Sequence, residues 1–370
     1  MSTAPSFDLD HHGDADASPG LVDLAVNLRP GPPPWLAAAL GTPPDWVAYP
    51  DPTAAKAALA ARHGVPAACV LPTPGAAAAF TLVARGVRAR RPTVVHPQFT
   101  EPEAALLRAG AQVRRVLLPP PFTLDAALVP ADADLVVLGN PTNPTGVLHP
   151  AERVRALRRP GRVLVVDEAF MDFAHESASL LGPREVGGGT PDLTGLLVVR
   201  SVTKMWGLAG VRAGYVVGDP DLIALLAAQQ VPWEVSTPGL RALSASATPR
   251  ARAEASAIAT RTDADRAALL SALAGAGFPV PHAMTPGAPF VLLDATAAGP
   301  RVRERLADRG FAVRRGETFP GLGPEWIRVA VRDAATSQQF ARVLGALRRE
   351  AVEASSSGFG HVHHQDSARG

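Results

Sequence analysis

Residues 201 to 215 read SVTKMWGLAGVRAGY and set a lysine, Lys204, in uncharged surroundings between Thr203 and Met205. Lysine and arginine together number 36 in the chain, yet Lys56 is the only other lysine. An arginine stays charged and does not act as a nucleophile, whereas a lysine amine can lose its proton and attack a carbonyl. Lys56 lies in TAAKAALAARHG and reads as a surface position of a helix. Lys204 is therefore the candidate for amine chemistry.

A carboxylate and an anion site accompany it. Asp167 directly follows the apolar run RVLVV, which sets it at the mouth of a buried sheet. Desolvation there penalises a lone carboxylate, so a cation is expected beside it; an N-capping aspartate is the plainer alternative. In TPGAAAAF a helix starts just after Pro74 and Gly75, so the backbone N–H groups of Ala76 and Ala77 can point at a phosphate. Ser201 and Thr203 add hydroxyl donors, and Arg212, beyond the small GLAG turn, adds a fixed-charge fork. Phe99, in HPQFTEP after the run TVVHP, offers an aromatic face for a flat ring, or equally a core side chain. An amine, a carboxylate and a phosphate site together match pyridoxal 5'-phosphate, with its aldehyde, ring nitrogen and phosphate.

These residues must be positioned by a sheet. From about residue 53, helical stretches such as TAAKAALAARHG, GAAAAFTLVARGVRA, EPEAALLRAGA and AERVRALRRPG alternate with the short apolar runs TVVHP, LVVLGN, RVLVVDEAF, LLVVRS and GYVVG. Continuous apolar runs separated by helices indicate buried, mostly parallel strands, so the class is α/β. In an open α/β sheet, ligands bind at the carboxyl ends of the strands, where NPTNPTG, Asp167 and Lys204 fall. After residue 245 the rhythm changes to a long helix, the strand PFVLLDA, a helix, the strands FAVRRG and WIRVAVR, and a last helix, which reads as a smaller α+β domain. The expected division is an N-terminal segment (1–45) serving the small domain and the substrate site, a large domain (46–245), a small domain (246–355) and a disordered tail (356–370). The tail histidines His361, His363 and His364 lack the carboxylate or thiol framework of a metal site, and no metal is expected.

Composition narrows the function further. The formal net charge is +2 and no run of like charges stands out, so nucleic acid is not an expected partner. A single cysteine, Cys69, excludes an intramolecular disulfide and fits a reducing cytoplasm, where it packs as a small apolar side chain. No apolar run approaches the roughly 20 residues that span a bilayer, and no membrane association is expected.

NPTNPTG, VVDEAF, SVTK followed by GLAGVRAGY, and IRVAVR, in this order and spread over nearly the whole chain, resemble the class I/II aminotransferases, pyridoxal-phosphate enzymes of fold type I. The resemblance implies that Lys204 bonds the cofactor aldehyde and later moves protons. By the same likeness Asp167 pairs with the ring nitrogen, Asn143 bonds the ring hydroxyl and Phe99 stacks on the ring. Ser201, Thr203, Arg212 and the Ala76 and Ala77 amides would hold the cofactor phosphate. Tyr49, in the YPDP turn, resembles a tyrosine that reaches the partner subunit's cofactor, which implies a homodimer. Arg328 would clamp the substrate's α-carboxylate.

Within that family the sequence is similar to histidinol-phosphate aminotransferases and to the threonine-phosphate decarboxylases of cobalamin synthesis. Three features favour the second group. Phe170 stands where most of the aminotransferases have a tyrosine. HHGD, with His12 and Gly13, and Asn27 in NLRP resemble decarboxylase segments near the substrate phosphate. Trp233 in QQVPWEV and Arg314 in AVRRGETFPG resemble a tryptophan-bearing segment and a substrate-phosphate arginine. Asp14 departs from the pattern, where a second glycine is usual. The resemblance thus implies decarboxylation of L-threonine O-3-phosphate to (R)-1-aminopropan-2-ol phosphate, with amino transfer from histidinol phosphate or a related phosphorylated amine as the alternative. A non-catalytic pyridoxal-phosphate sensor lacks a DNA-binding module here. A nicotinamide dehydrogenase lacks GxGxxG spacing.

Overall fold

The fold is that of a computed structural model, which describes residues 7–17, 19–41, 47–182, 191–284 and 287–358; the side chain of Asp14 and the three tail histidines lie outside the described residues. The strands in chain order are β1 (Val22–Leu24), β2 (Val70–Thr73), β3 (Pro92–His96), β4 (Arg114–Leu117), β5 (Leu135–Gly139), β6 (Val163–Asp167), β7 (Leu196–Ser201), β8 (Gly214–Gly218), β9 (Phe290–Asp294), β10 (Phe311–Arg315) and β11 (Trp326–Ala330). The α-helices are α1 (Pro34–Gly41), α2 (Thr53–His63), α3 (Ala76–Val87), α4 (Glu101–Arg108), α5 (Ala151–Arg155), α6 (Thr203–Trp206), α7 (Pro220–Ala227), α8 (Thr237–Ser246), α9 (Pro249–Gly275), α10 (Val302–Ala307) and α11 (Ala334–Gly358). No helix among the described residues is long and apolar enough to cross a membrane.

Strands β2 to β8 form a seven-stranded sheet in the order β2-β8-β7-β6-β5-β3-β4. Its pairs are parallel except those that β8 makes with β2 and β7. Strand alternation splits each apolar run between two cores. Val136, Leu138, Val166 and Val198 pack on one face with Leu59 of α2 and Leu243 of α8. Leu135, Val137, Val165 and Leu197 pack on the other with Phe80 of α3 and Leu106 of α4. Both faces are covered, which is why the strands read as unbroken apolar stretches.

The second sheet runs β1-β10-β11-β9, so a strand from the N-terminal segment pairs in parallel with β10. One face, with Val291, Phe311, Val313, Ile327 and Val329, packs on Leu273 of α9 and Phe340 of α11. The alternate residues Phe290 and Leu292 join the core of the large sheet instead. Long α9 spans the two, with Ala251 and Ile258 in the larger core and Leu269 and Leu273 in the smaller.

The chain differs from the sequence reading at several elements. The run GYVVG, grouped there with parallel strands, is the antiparallel β8. The expected helix AERVRALRRPG is helical only over Ala151–Arg155. Helix α11 continues to Gly358, so the first residues of the expected tail are helical.

Candidate active site

Strand direction decides which residues meet. Residues after β2, β3, β5, β6 and β7 leave the sheet at one edge, and because β8 runs the other way, the residues before it reach the same edge. A cavity of about 410 Å³ lies there, within the size range of small-ligand sites. Lys204, Asp167, Asn143, Phe99, Ser201 and Thr203 line it. So do Ala76, Ala77 and Arg212, and from the N-terminal segment and the second sheet His12, Gly13, Asn27, Arg314 and Arg328. Of the residues singled out from the sequence, Tyr49 and Trp233 lie elsewhere.

Asp167 ends β6 as a buried residue, and its Oδ1 accepts the Ala169 N–H at 3.0 Å. Burial pushes its carboxyl up to about 6, against the pull of the Ala169 N–H and of the Lys204 charge. Lys204 sits half-buried in the one-turn helix α6, which Gly207 closes at φ +63°. A buried carboxyl so poised suits a cationic ring nitrogen.

The opposite side of the cavity suits a phosphate. No side chain caps the N-terminus of α3, which leaves its first amides to a ligand. Gly75 precedes it at φ +89°, and a Cβ there would come within 2.8 Å of Arg212 Nη2. Gly214 backs the same turn, where a Cβ would meet the Ala76 nitrogen at 2.9 Å. Arg212 itself holds φ +56°, a conformation uncommon for a residue other than glycine and concentrated at functional sites such as ligand clamps. The fit to pyridoxal phosphate is therefore visible at three points: a cradle narrowed by two glycines, a buried acid and a lysine lining the same cavity.

Arg314 and Arg328 enter from the second sheet, where they are direct cross-strand partners on β10 and β11 and face the cavity. Arg328 donates to Asn143 Oδ1 at 2.5 Å and to the Ala25 carbonyl at 2.5 Å. With the Asn27 amide oriented oxygen-inward, it also donates from Nε at 3.1 Å. All three acceptors are neutral, and among the described residues Arg328 makes no salt bridge. Burial, with Arg314 alongside, brings its guanidinium down to about 9, still protonated at neutral pH.

Arg314, expected from the sequence to meet a substrate phosphate, lines the cavity and already has partners of its own. Its Nη1 lies 2.9 Å from Asp16 Oδ2 and its Nη2 donates to the His11 carbonyl at 2.8 Å. Phe319 lies beneath the guanidinium, 4.8 Å from ring centre to Cζ. Asp16, His11 and Phe319 were missed by sequence reasoning; the only signal was the acidic run GDAD.

Three further positions are informative. Tyr49 is largely exposed and stacks on Trp233 at 4.2 Å between ring centres, so neither aromatic reaches this chain's cavity. Phe170 does line the cavity and meets Phe290 edge-on at 5.0 Å. Phe99 lies 5.7 Å from the His12 ring and 6.4 Å from Phe80, half in the cavity wall and half in the core.

Comparison with known proteins gives consistent likenesses. The profile of the family described as aminotransferase class I and II matches residues 19–347. The chain is 45% identical over 338 residues to a histidinol-phosphate aminotransferase of Mycobacterium tuberculosis, covering 90% of this chain and 89% of that protein. It is 31% identical over 344 residues to the threonine-phosphate decarboxylase of Salmonella typhimurium, covering 89% and 90%. Its fold superposes on the aspartate aminotransferase of Thermus thermophilus with TM-score 0.76 at 22% identity, over 89% of this chain and 91% of that one.

Proposed function

This chain belongs to the aminotransferase class I and II family, with the fold type I architecture and pyridoxal 5'-phosphate as cofactor, and on that premise we propose that it transfers the amino group of a small phosphorylated amine such as histidinol phosphate. The observation that carries the reading is Arg328: a buried guanidinium facing the cavity, whose hydrogen-bond acceptors are all neutral oxygens, suits an anion on the substrate. The sequence reading put threonine-phosphate decarboxylation first. An identity of 45% to the mycobacterial aminotransferase against 31% to the decarboxylase supports the reverse order.

When bound, pyridoxal phosphate supplies an aldehyde that condenses with amines and a ring that accepts the electron pair released at the substrate Cα. The rest of the work falls to side chains. Asp167 holds the positive charge of the ring nitrogen. The α3 amides, Ser201, Thr203 and Arg212 anchor the cofactor phosphate. Lys204 takes up and returns the proton at Cα, a role that needs an amine able to change charge. Arg328 would fix the substrate anion and so hold the substrate in one orientation in the cavity. Phe99 and Phe170 exclude water.

Decarboxylation remains the second reading, supported by Phe170, which offers no hydroxyl where most of the related aminotransferases carry a tyrosine. Tyr49, exposed and turned from its own cavity, supports a homodimer in which it reaches the partner's site. The deciding experiment incubates cofactor-loaded protein with histidinol phosphate and 2-oxoglutarate, and separately with threonine phosphate. Glutamate from the first mixture is the expected product. Carbon dioxide from the second with no glutamate from the first overturns the primary reading.

A further inference from the structure

Two arginines directly opposite each other on one sheet face repel, and Arg314 and Arg328 do so with both side chains buried. Among the described residues, only Arg314 has a carboxylate within ion-pair distance. Asp16, with its side chain 1% exposed, puts Oδ2 2.9 Å from Arg314 Nη1. Its other oxygen, Oδ1, lies 3.1 Å from Arg315 Nε and 3.1 Å from His11 Nε2. That His11 nitrogen is buried and has no well-aligned hydrogen-bond partner, although His11 lines the cavity.

We propose that Asp16 is a specificity-determining residue, an internal counter-ion that occupies Arg314 until the phosphate of the substrate replaces it. The inference rests on the reading that the substrate carries a phosphate. The exchange leaves no charge stranded: Arg314 passes from a carboxylate to a phosphate oxygen, while Asp16 keeps Arg315 on Oδ1. A neutral or hydroxyl-bearing side chain has nothing to offer Arg314 in place of a carboxylate, so the pair stays closed against it. Gly13 fits the same picture. A Cβ there would lie 3.4 Å from Arg328 Nη2 and 3.6 Å from Arg314 Cδ, so the loop that carries Asp16 packs directly against both arginines.

The test titrates inorganic phosphate into cofactor-loaded wild type, Asp16→Asn and Arg314→Gln, read by calorimetry. Asp16→Asn is expected to bind phosphate about tenfold more tightly and Arg314→Gln about tenfold more weakly, the size of one charge-assisted hydrogen bond. Unchanged or weaker binding in Asp16→Asn with normal cofactor absorbance overturns the inference, and so does unchanged binding in Arg314→Gln. Should Asp16→Asn not fold, a crystal structure of cofactor-loaded wild type with phosphate decides. The expected result is Arg314 on the phosphate and more than about 4 Å from Asp16, beyond ion-pair reach. A bound phosphate beside an intact Arg314–Asp16 pair overturns it. None of these readouts needs turnover, so absence of glutamate from histidinol phosphate would sink the proposed substrate and leave this inference standing.

Discussion

Arg200 Nε stands 3.0 Å from the Glu168 carboxylate with the two side chains 2% and 0% exposed, and the pair ties β6, which ends in Asp167, to β7, which leads into Lys204. The other polar atoms of the two groups are hydrogen-bonded. Glu168 accepts from Ser179 Oγ at 2.6 Å and from the Leu180 N–H at 2.8 Å. Arg200 reaches Asp172 at 3.1 Å and Glu176 at 2.7 Å, and Arg62 meets Asp172 at 2.8 Å. Burial pushes the Glu168 carboxyl up and Arg200 draws it back only in part. The segments that carry the Asp167 acid and the Lys204 amine are thus tied together by a buried ionic frame.

Breaking that frame from one side is costly because it strands buried carboxylates. Arg200→Met is expected to lower the unfolding free energy by about 3 to 5 kcal/mol, and Arg200→Met with Glu168→Gln to recover part of the loss. Urea titrations of the cofactor-free proteins measure both. A loss below about 1 kcal/mol in the single variant, typical of an exposed pair, would contradict the buried frame.

Asp167 gives a pH signature. Its folded carboxyl is raised to about 6 from an ordinary 3.8, chiefly by burial. Between those values the folded protein holds a proton that the unfolded chain has released, so stability falls as pH rises through the window. Cofactor-free wild type is expected to lose about 3 kcal/mol relative to Asp167→Asn from pH 4 to just above pH 6, and nothing further beyond. Parallel stability profiles for the two proteins would show that Asp167 is not desolvated.

How far the sequence disclosed this site depends on what each residue does. Lys204, Asp167 and Asn143 were legible because they follow β-branched runs too apolar to be anything but buried strands, and strand ends are where an α/β sheet presents ligands. Strands β1, β2 and β4 were not legible: they are three or four residues long, and Pro72 and the arginines of β4 interrupt their apolar pattern. Asp16 was hidden for another reason. Its partners Arg314 and Arg315 lie about three hundred residues away, and only the pairing of β1 with β10 brings the N-terminal loop to them. Local patterns carry no trace of a contact made across the whole chain.

Gly75 offers a test of the phosphate cradle. Alanine there must adopt φ +89° and push a methyl group toward Arg212, whose Nη2 lies 2.8 Å from that position. Gly75→Ala is expected to fold and to bind pyridoxal phosphate at least about tenfold more weakly, the cost of one strained residue at the site. Gly64→Ala is the control, since its φ of +63° is also left-handed but nothing lies within 4 Å of its Cβ position. Equal cofactor affinities in fluorescence titrations of the two variants would place the phosphate elsewhere.

Phe170 separates the two readings of the chemistry. Its ring lines the cavity against Phe290, and it sits three residues past Asp167, where the chain leaves β6. A tyrosine hydroxyl there would add a donor beside the ring and stabilise negative charge on its oxygen, which alters how readily the ring accepts electrons. If the protein is an aminotransferase, Phe170→Tyr should leave glutamate formation within about threefold of wild type, because a single exposed-edge hydrogen bond contributes about 0.5–1.5 kcal/mol. If it decarboxylates threonine phosphate, the same substitution should lower carbon dioxide release and raise the fraction of turnovers that end in amino transfer. Measuring both products from one reaction mixture, for wild type and variant, distinguishes the cases; an amino-transfer rate that collapses in Phe170→Tyr would refute the aminotransferase assignment.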